Sequence, residues 1–310
     1  MGRTINGKTT TLALIGDPVG HSLSPQMHNY ACELLGLNYV YVAYTVKENG
    51  VPAAFDAMRA LGIRGFNVTM PCKIAAFEHV DRQSEAARII GACNTIINDN
   101  GVLTGHITDG EGYVNMLRDK GIEIAGKKIT VCGAGGAGTA IAVQCALDGA
   151  RAVSIFNRKS RSWDRANETA EKIRKVRPDC AVSVCDLADQ ALLAQEIADS
   201  DILANGTNLG MKPYEDRMVI EDASVFRPGL VVTDAVYNPV ETKMLKLAKE
   251  AGCPARGRSL PFSLGAAPPR SCPRTIWSGY STPSAAPTRS GPMGRSPWSA
   301  TPARRPTRTS

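Results

Sequence analysis

No apolar run in the chain approaches the roughly 20 residues that a membrane-spanning helix needs, and MGRTINGKTTTLALIGDP at the N-terminus has too short an apolar stretch for a signal peptide. A soluble, cytoplasmic protein without a membrane partner is expected. The nine cysteines are odd in number, scattered and without a CxxC pair, so neither a disulfide framework nor a zinc site is indicated and buried thiols are expected. Internal repeats are also lacking. Residues 254–310 contain no Asp, Glu or Lys, yet hold nine arginines and 11 of the 19 prolines. The first 253 residues carry 27 basic against 29 acidic side chains, so the net charge of +7 belongs to the end of the chain and the body is close to neutral. A nucleic-acid partner is therefore not expected. Two readings of the end compete: a basic, disordered arm for polyanions, or translation in a shifted frame of GC-rich DNA, which tends to give Arg without Lys beside Pro, Ser and Ala.

What is present is 310 residues, 43% of them hydrophobic, enough for a sizeable core and most naturally two domains. TLALIG and YVYVAYTV read as strands around the helix SPQMHNYACELLGL, in which Ser24 is placed as N-cap and Pro25 at the first position. AAFDAMRAL reads as a helix, IRGFNVTM as a strand and PCKIAAFEHV as a helix opened by Pro71. NTIINDNGVLTGHIT reads as two short strands around the Asn100-Gly101 turn. DGEGYVNMLRDKG then leads into KKITVCGAGGAGTAIAVQCALDGA, a strand, a glycine turn and a helix, and alternation continues to TKMLKLAKEAG. Strands alternating with helices imply an α/β protein. The expected parts are a first domain over 1–112 with a mostly parallel sheet, a Rossmann-like domain over 113–253, and a tail over 254–310.

GAGGAG fits G-x-G-x-x-G at Gly133, Gly135 and Gly138, between strand and helix. Gly133 permits a tight turn, Gly135 lets a pyrophosphate approach the backbone, Gly138 lets helix and strand pack closely, and the helix N-terminus supplies N–H donors. A glycine turn without a dinucleotide is the plainer alternative. The next strand ends in Asn157 and Arg158, with Lys159 and Arg161 close behind, where an acidic residue would take the ribose of NAD; cations suit a 2′-phosphate, so NADP is favoured, with NAD left open because Asp164 could still reach a ribose. HSLSPQMH offers two histidines without a third ligand at a familiar spacing, so no metal is expected. Ser22 and Ser24 suit a polar ligand or a turn and cap, and spacing favours the cap for Ser24. Lys73 would be the third residue of the helix begun by Pro71, where the macrodipole disfavours a cation by roughly 0.3 to 1 kcal/mol. Asp109 reads as a helix N-cap.

Together HSLSPQMHN, NVTMPCK, GACNT, TDGEGY, GAGGAG, FNR, NGTNLGM and DAVYNPVETKML, in this order from residue 14 to about 250, resemble the shikimate dehydrogenase family, including its quinate/shikimate branch. The resemblance implies NAD(P)-dependent interconversion of 3-dehydroshikimate and shikimate in the pathway to aromatic amino acids, with quinate a further candidate substrate. It implies a polyhydroxy carboxylate bound between two domains, Lys73 and Asp109 as the catalytic pair, and Ser22, Ser24, Asn67, Thr69, Asn94 and Tyr237 at the substrate. The cofactor is expected on Gly133, Gly135, Gly136 and Gly138, with Asn157, Arg158 and Lys159 near the adenosine ribose and Asn205 and Met211 on the nicotinamide side. A monomer or homodimer is expected. One lysine serves both directions, as proton donor to a reduced ketone and as acceptor from an alcohol, and whether it rests neutral or charged stays open.

Two departures stand out. Ile107 stands where the family commonly has Asn before Thr-Asp. After Cys253 the family's WQGA-like motif, whose Gln contacts substrate, and its closing helices do not follow; PARGRSLPFSLGAAPPRSCPRT stands there instead, which favours the shifted-frame reading. A family member that binds its ligands without turnover is the resulting alternative.

Overall fold

The computed structural model describes residues 5–160, 162–236 and 238–257. The chain opens with β1 (Thr10–Gly16), α1 (Ser24–Leu34), β2 (Tyr39–Thr45), α2 (Val51–Ala60), β3 (Gly65–Val68) and α3 (Lys73–His79). A two-residue β4 (Arg82–Gln83) and α4 (Glu85–Ile90) precede the hairpin of β5 (Thr95–Asp99) and β6 (Val102–His106). Asn100 and Gly101 both take positive φ, 54° and 93°, which gives the tight turn the twist that antiparallel strands need. These strands form one sheet in the order β2-β1-β3-β5-β6-β4. Three of its five pairings are parallel, and the hairpin forces the other two to be antiparallel. Ala13, Ile15, Phe66, Val68, Ile96 and Leu103 bury one face against Val51, Phe55 and Met58 of α2 and Ala75 and Ala76 of α3. On the other side α1 is pinned to β2 by Asn29, whose amide donates to the Tyr41 carbonyl at 2.7 Å and accepts from its N–H at 3.0 Å.

α5 (Asp109–Arg118) leads to a second sheet, built from β7 (Lys128–Cys132), α6 (Gly136–Leu147), β8 (Ala152–Asn157), α7 (Trp163–Val176), β9 (Ala181–Asp186), α8 (Gln190–Ala198), β10 (Ile202–Asn205), β11 (Val231–Asp234), α9 (Lys243–Glu250) and β12 (Ala255–Gly257). All its pairings are parallel, in the order β12-β11-β10-β7-β8-β9. That is the doubly wound order of a dinucleotide-binding sheet, reversing direction between β7 and β10. Helices cover both faces, so β7 is buried along its whole length. α5 packs against α6 so closely that a Cβ on Gly110 would lie 2.3 Å from the Ala140 carbonyl oxygen. Tyr113, Val114 and Leu117 of α5 thus join Ile129, Val131 and Val153 in the core of the second sheet. Among the described residues seven cysteines are buried thiols: Cys32, Cys72, Cys93, Cys132, Cys145, Cys180 and Cys253. The sheet continues through Gly257, the fourth residue of the segment read as tail, and the remainder, 258–310, lies outside the described residues.

Candidate active site

Lys73 is the first residue of α3, two residues later than Pro71 suggests. The Cys72 N–H turns back to the Thr69 carbonyl at 3.0 Å, and this turn delays the helix. The Lys73 carbonyl accepts from the Cys93 N–H at 2.9 Å, which fixes the start of α3 beside the 93–94 segment. Its Nζ lies 3.3 Å from Oδ2 of Asp109, with side-chain exposures of 32% for Lys73 and 18% for Asp109, so the pair is partly shielded yet reachable. Asp109 is not an N-cap: Thr108 holds that position without a side-chain cap bond, and Asp109 begins α5 with its carboxylate turned to Lys73. Ile107 is buried in the first core and directs no polar group at this carboxylate.

A chain of polar side chains runs toward the pair. Ser24 is fully buried, and its hydroxyl is no cap; it accepts from the Ser22 hydroxyl at 3.1 Å and bonds to the Tyr41 phenol, while the Ser22 oxygen takes the Ser24 N–H at 3.2 Å. Tyr41 donates to Asn67 Oδ1 at 2.8 Å, and Asn67 donates to Thr95 at 3.3 Å. Burial pushes the Tyr41 phenol well above its ordinary range, so it remains a donor. Asn94 Oδ1 accepts from the Thr95 hydroxyl at 3.1 Å and from both the N–H and the hydroxyl of Thr108, at 3.0 and 3.2 Å. Asn94 is fully buried, and its Nδ2 has no acceptor among the described residues. Leaving a buried donor unpaired costs about 1–3 kcal/mol, the expected mark of a group that serves a ligand. Thr69 sits at the end of β3, its N–H on the Ile15 carbonyl at 2.9 Å. The structure thus gathers Ser22, Ser24, Asn67 and Asn94 along one network that ends at Thr108, the residue before Asp109; Tyr237 lies outside the described residues.

At the end of β7 the glycines divide by role. Gly133 has φ +95°, and a Cβ on Gly138 would lie 1.8 Å from the Gly133 carbonyl oxygen, so turn and helix touch backbone to backbone. A Cβ on Gly135 or Gly136 would meet nothing within 4 Å. That open space lies at the start of α6, whose N-cap Gly135 supplies no side-chain cap to the first N–H groups. Uncapped donors beside open backbone at a sheet's reversal point fit a pyrophosphate. Across the reversal, Gly206 after β10 packs on Gly138, where its own Cβ would come within 2.5 Å of the Gly138 Cα. Asn157 is buried and braces the turn: Oδ1 accepts from the Ala134 N–H at 3.1 Å and Nδ2 donates to Ser162 at 2.9 Å. Arg158 is exposed and makes no ion pair among the described residues, whereas Lys159 pairs with Asp186 at 3.4 Å. Met211 lies in a turn, its carbonyl accepting from the Tyr214 N–H.

A profile of the shikimate dehydrogenase substrate binding domain matches residues 14–96. Shikimate dehydrogenase (NADP(+)) of Listeria monocytogenes serotype 4b is 47% identical over 249 residues, covering 80% of this chain and 85% of the relative. The chain belongs to the shikimate dehydrogenase family. Quinate/shikimate dehydrogenase of Escherichia coli (strain SMS-3-5 / SECEC) is 44% identical over 249 residues, covering 80% of this chain and 86% of the relative. The crystal structure of shikimate 5-dehydrogenase from Listeria monocytogenes in complex with shikimate and NAD superposes with a TM-score of 0.81 at 45% identity, covering 86% of this chain and 92% of the other.

Within this family member, the sequence reading missed a buried carboxylate that organises the second half of the site. Asp234, at the end of β11, accepts from Asn205 Nδ2 at 3.0 Å, from the Val236 N–H at 2.9 Å and from the Thr242 hydroxyl at 2.7 Å. Asn205 in turn takes the N–H and hydroxyl of Thr207, at 3.0 and 2.7 Å, and donates to the Leu209 carbonyl at 3.1 Å. One carboxylate therefore ties the loop after β10, the chain leaving β11 and the N-cap of α9. Burial raises its pKa to about 6, against the opposing pull of its three donors. Its partners lie up to 29 positions away in sequence, so no local pattern marks it.

Proposed function

We propose that this chain is an NAD(P)-dependent oxidoreductase that interconverts 3-dehydroshikimate and shikimate, and accepts quinate, with NADP the favoured cofactor. The observation that carries the reading is the Lys73–Asp109 pair at 3.3 Å, together with the buried Asn94 Nδ2, which has no acceptor among the described residues. A bound nicotinamide supplies or receives the hydride at the substrate carbon. Lys73 donates a proton to the oxygen that gains negative charge when a ketone is reduced, and receives the hydroxyl proton when the alcohol is oxidised. Asp109 holds the lysine head in place between these events. Ser22, Ser24, Asn67, Thr69 and Asn94, with Tyr237, hydrogen-bond the hydroxyl and carboxylate groups of the substrate; a site lined by buried polar groups rejects analogues that leave them unpaired. The turn at Gly133, Gly135, Gly136 and Gly138 holds the pyrophosphate, Arg158 and Lys159 face a 2′-phosphate, and Asn205 and Met211 shape the nicotinamide side.

The relatives carry the names of dehydrogenases, and with the Lys73–Asp109 pair intact this favours turnover over binding alone. No helix among the described residues is long and apolar enough to cross a membrane, consistent with work in the cytoplasm. The test is absorbance at 340 nm with shikimate and quinate, each with NADP and NAD. Reduction of NADP by shikimate supports the proposal, and silence in all four combinations, with dinucleotide binding retained, returns the binding-only reading.

A further inference from the structure

β9 ends beside β8 in a register that sets Asp186 directly opposite Asn157. Asp186 therefore ends the strand beside β8, at whose end a Rossmann sheet places the adenosine ribose. Oδ1 is fixed by the Ala188 N–H at 3.0 Å, while Oδ2 is paired with Lys159 at 3.4 Å. Lys159 also lies over the Trp163 ring, 5.8 Å from its centroid. The two partners differ in freedom: the Lys159 side chain is 67% exposed, Asp186 only 27%. An exposed pair of this kind is weak, so a better anion can take the lysine away.

We infer that the Lys159–Asp186 pair sets cofactor preference: Asp186 holds Lys159 when the ribose is unphosphorylated and releases it to a 2′-phosphate. This rests on the dinucleotide reading above. A free Lys159 and Arg158 together would make a strong 2′-phosphate site, and Asp186 attenuates it by occupying one of the two cations. Removing Asp186 therefore sharpens selection for the phosphorylated cofactor, and removing Lys159 weakens it. Lys159 is exposed and Asn at 186 keeps an oxygen for the Ala188 N–H, so neither change should disturb the fold.

Calorimetric titration of the full chain with adenosine 2′,5′-bisphosphate and with 5′-AMP reads this without any turnover. Asp186→Asn should tighten the bisphosphate relative to AMP by about three- to fivefold, the range that loss of a weak surface pair allows. Lys159→Met should weaken it by about tenfold, as expected for loss of a charge-assisted contact. In the Lys159→Met background the gain from Asp186→Asn should vanish. An unchanged ratio in Asp186→Asn, or the same gain with and without Lys159, overturns the inference while leaving the dinucleotide site in place. Failure of the unaltered chain to bind either nucleotide would instead sink the dinucleotide reading, and this inference with it.

Discussion

Replacing Asp234 by Asn should change how stability depends on pH, in a direction fixed by the burial of the carboxylate. The ordinary carboxyl pKa of 3.8 is raised to about 6 in the folded chain. Below pH 3.8 the group is protonated whether the chain is folded or not, and ionisation has no effect on stability. Between the two values the unfolded chain releases the proton and the folded chain keeps it, so stability falls as pH rises, by about 1.36 kcal/mol per unit. Above pH 6 both states are ionised and the loss levels off at about 3 kcal/mol. Asn keeps the shape and one carbonyl oxygen for the donors of Val236 and Asn205, but does not titrate. Urea unfolding of both chains from pH 4 to 8 should show the native chain losing stability relative to Asp234→Asn up to about pH 6, then a constant difference. A difference that is flat throughout, or of the opposite slope, would refute the assignment of a buried, reluctantly ionised carboxylate.

His28 is stacked on Tyr41 at 4.3 Å and its pKa is lowered by burial to about 4, so acid should destabilise the chain here: stability relative to His28→Phe should drop by about 3 kcal/mol as pH falls from 6.5 to 4, read by the same unfolding experiment. The two glycines of the turn should separate folding from binding. Gly138→Ala places a Cβ 1.8 Å from the Gly133 oxygen and should lower stability by about 1–3 kcal/mol or more. Gly135→Ala meets no atom within 4 Å and should leave the melting temperature within a few degrees while weakening NADP binding at least tenfold, as measured by titration.

The sequence shows the second sheet more plainly than the first. GAGGAG between strand and helix identifies the start of a doubly wound sheet, and its glycines do what backbone sterics demand of them. In the first sheet, alternation of strand and helix suggests mostly parallel pairing, and the Asn100-Gly101 turn marks the hairpin whose β5 runs antiparallel to both β6 and β3. Local rules misplace the polar side chains that a distant partner claims. Ser24 and Asp109 both have cap chemistry at helix starts, yet Ser24 is drawn to Ser22 and Tyr41, and Asp109 to Lys73, 36 positions away. Lys73 itself was legible only through the ordered motifs around it, because its place at a helix N-terminus argues against a cation without saying what the cation does. Asp234 and Asp186 meet partners distant in sequence, Asn205 at the end of β10 and Lys159 in the loop after β8, and no spacing announces them.

The proposed proton transfer by Lys73 is the centre of the account, and Lys73→Ala tests it most directly. The ion pair is partly exposed, so its loss should cost the fold no more than about 1 kcal/mol. Steady-state oxidation of shikimate at 340 nm, measured beside NADP binding, should show kcat reduced by about 10²- to 10⁴-fold with cofactor affinity unchanged. A kcat within tenfold of the native chain, with the fold intact, would contradict a proton-transfer role for Lys73.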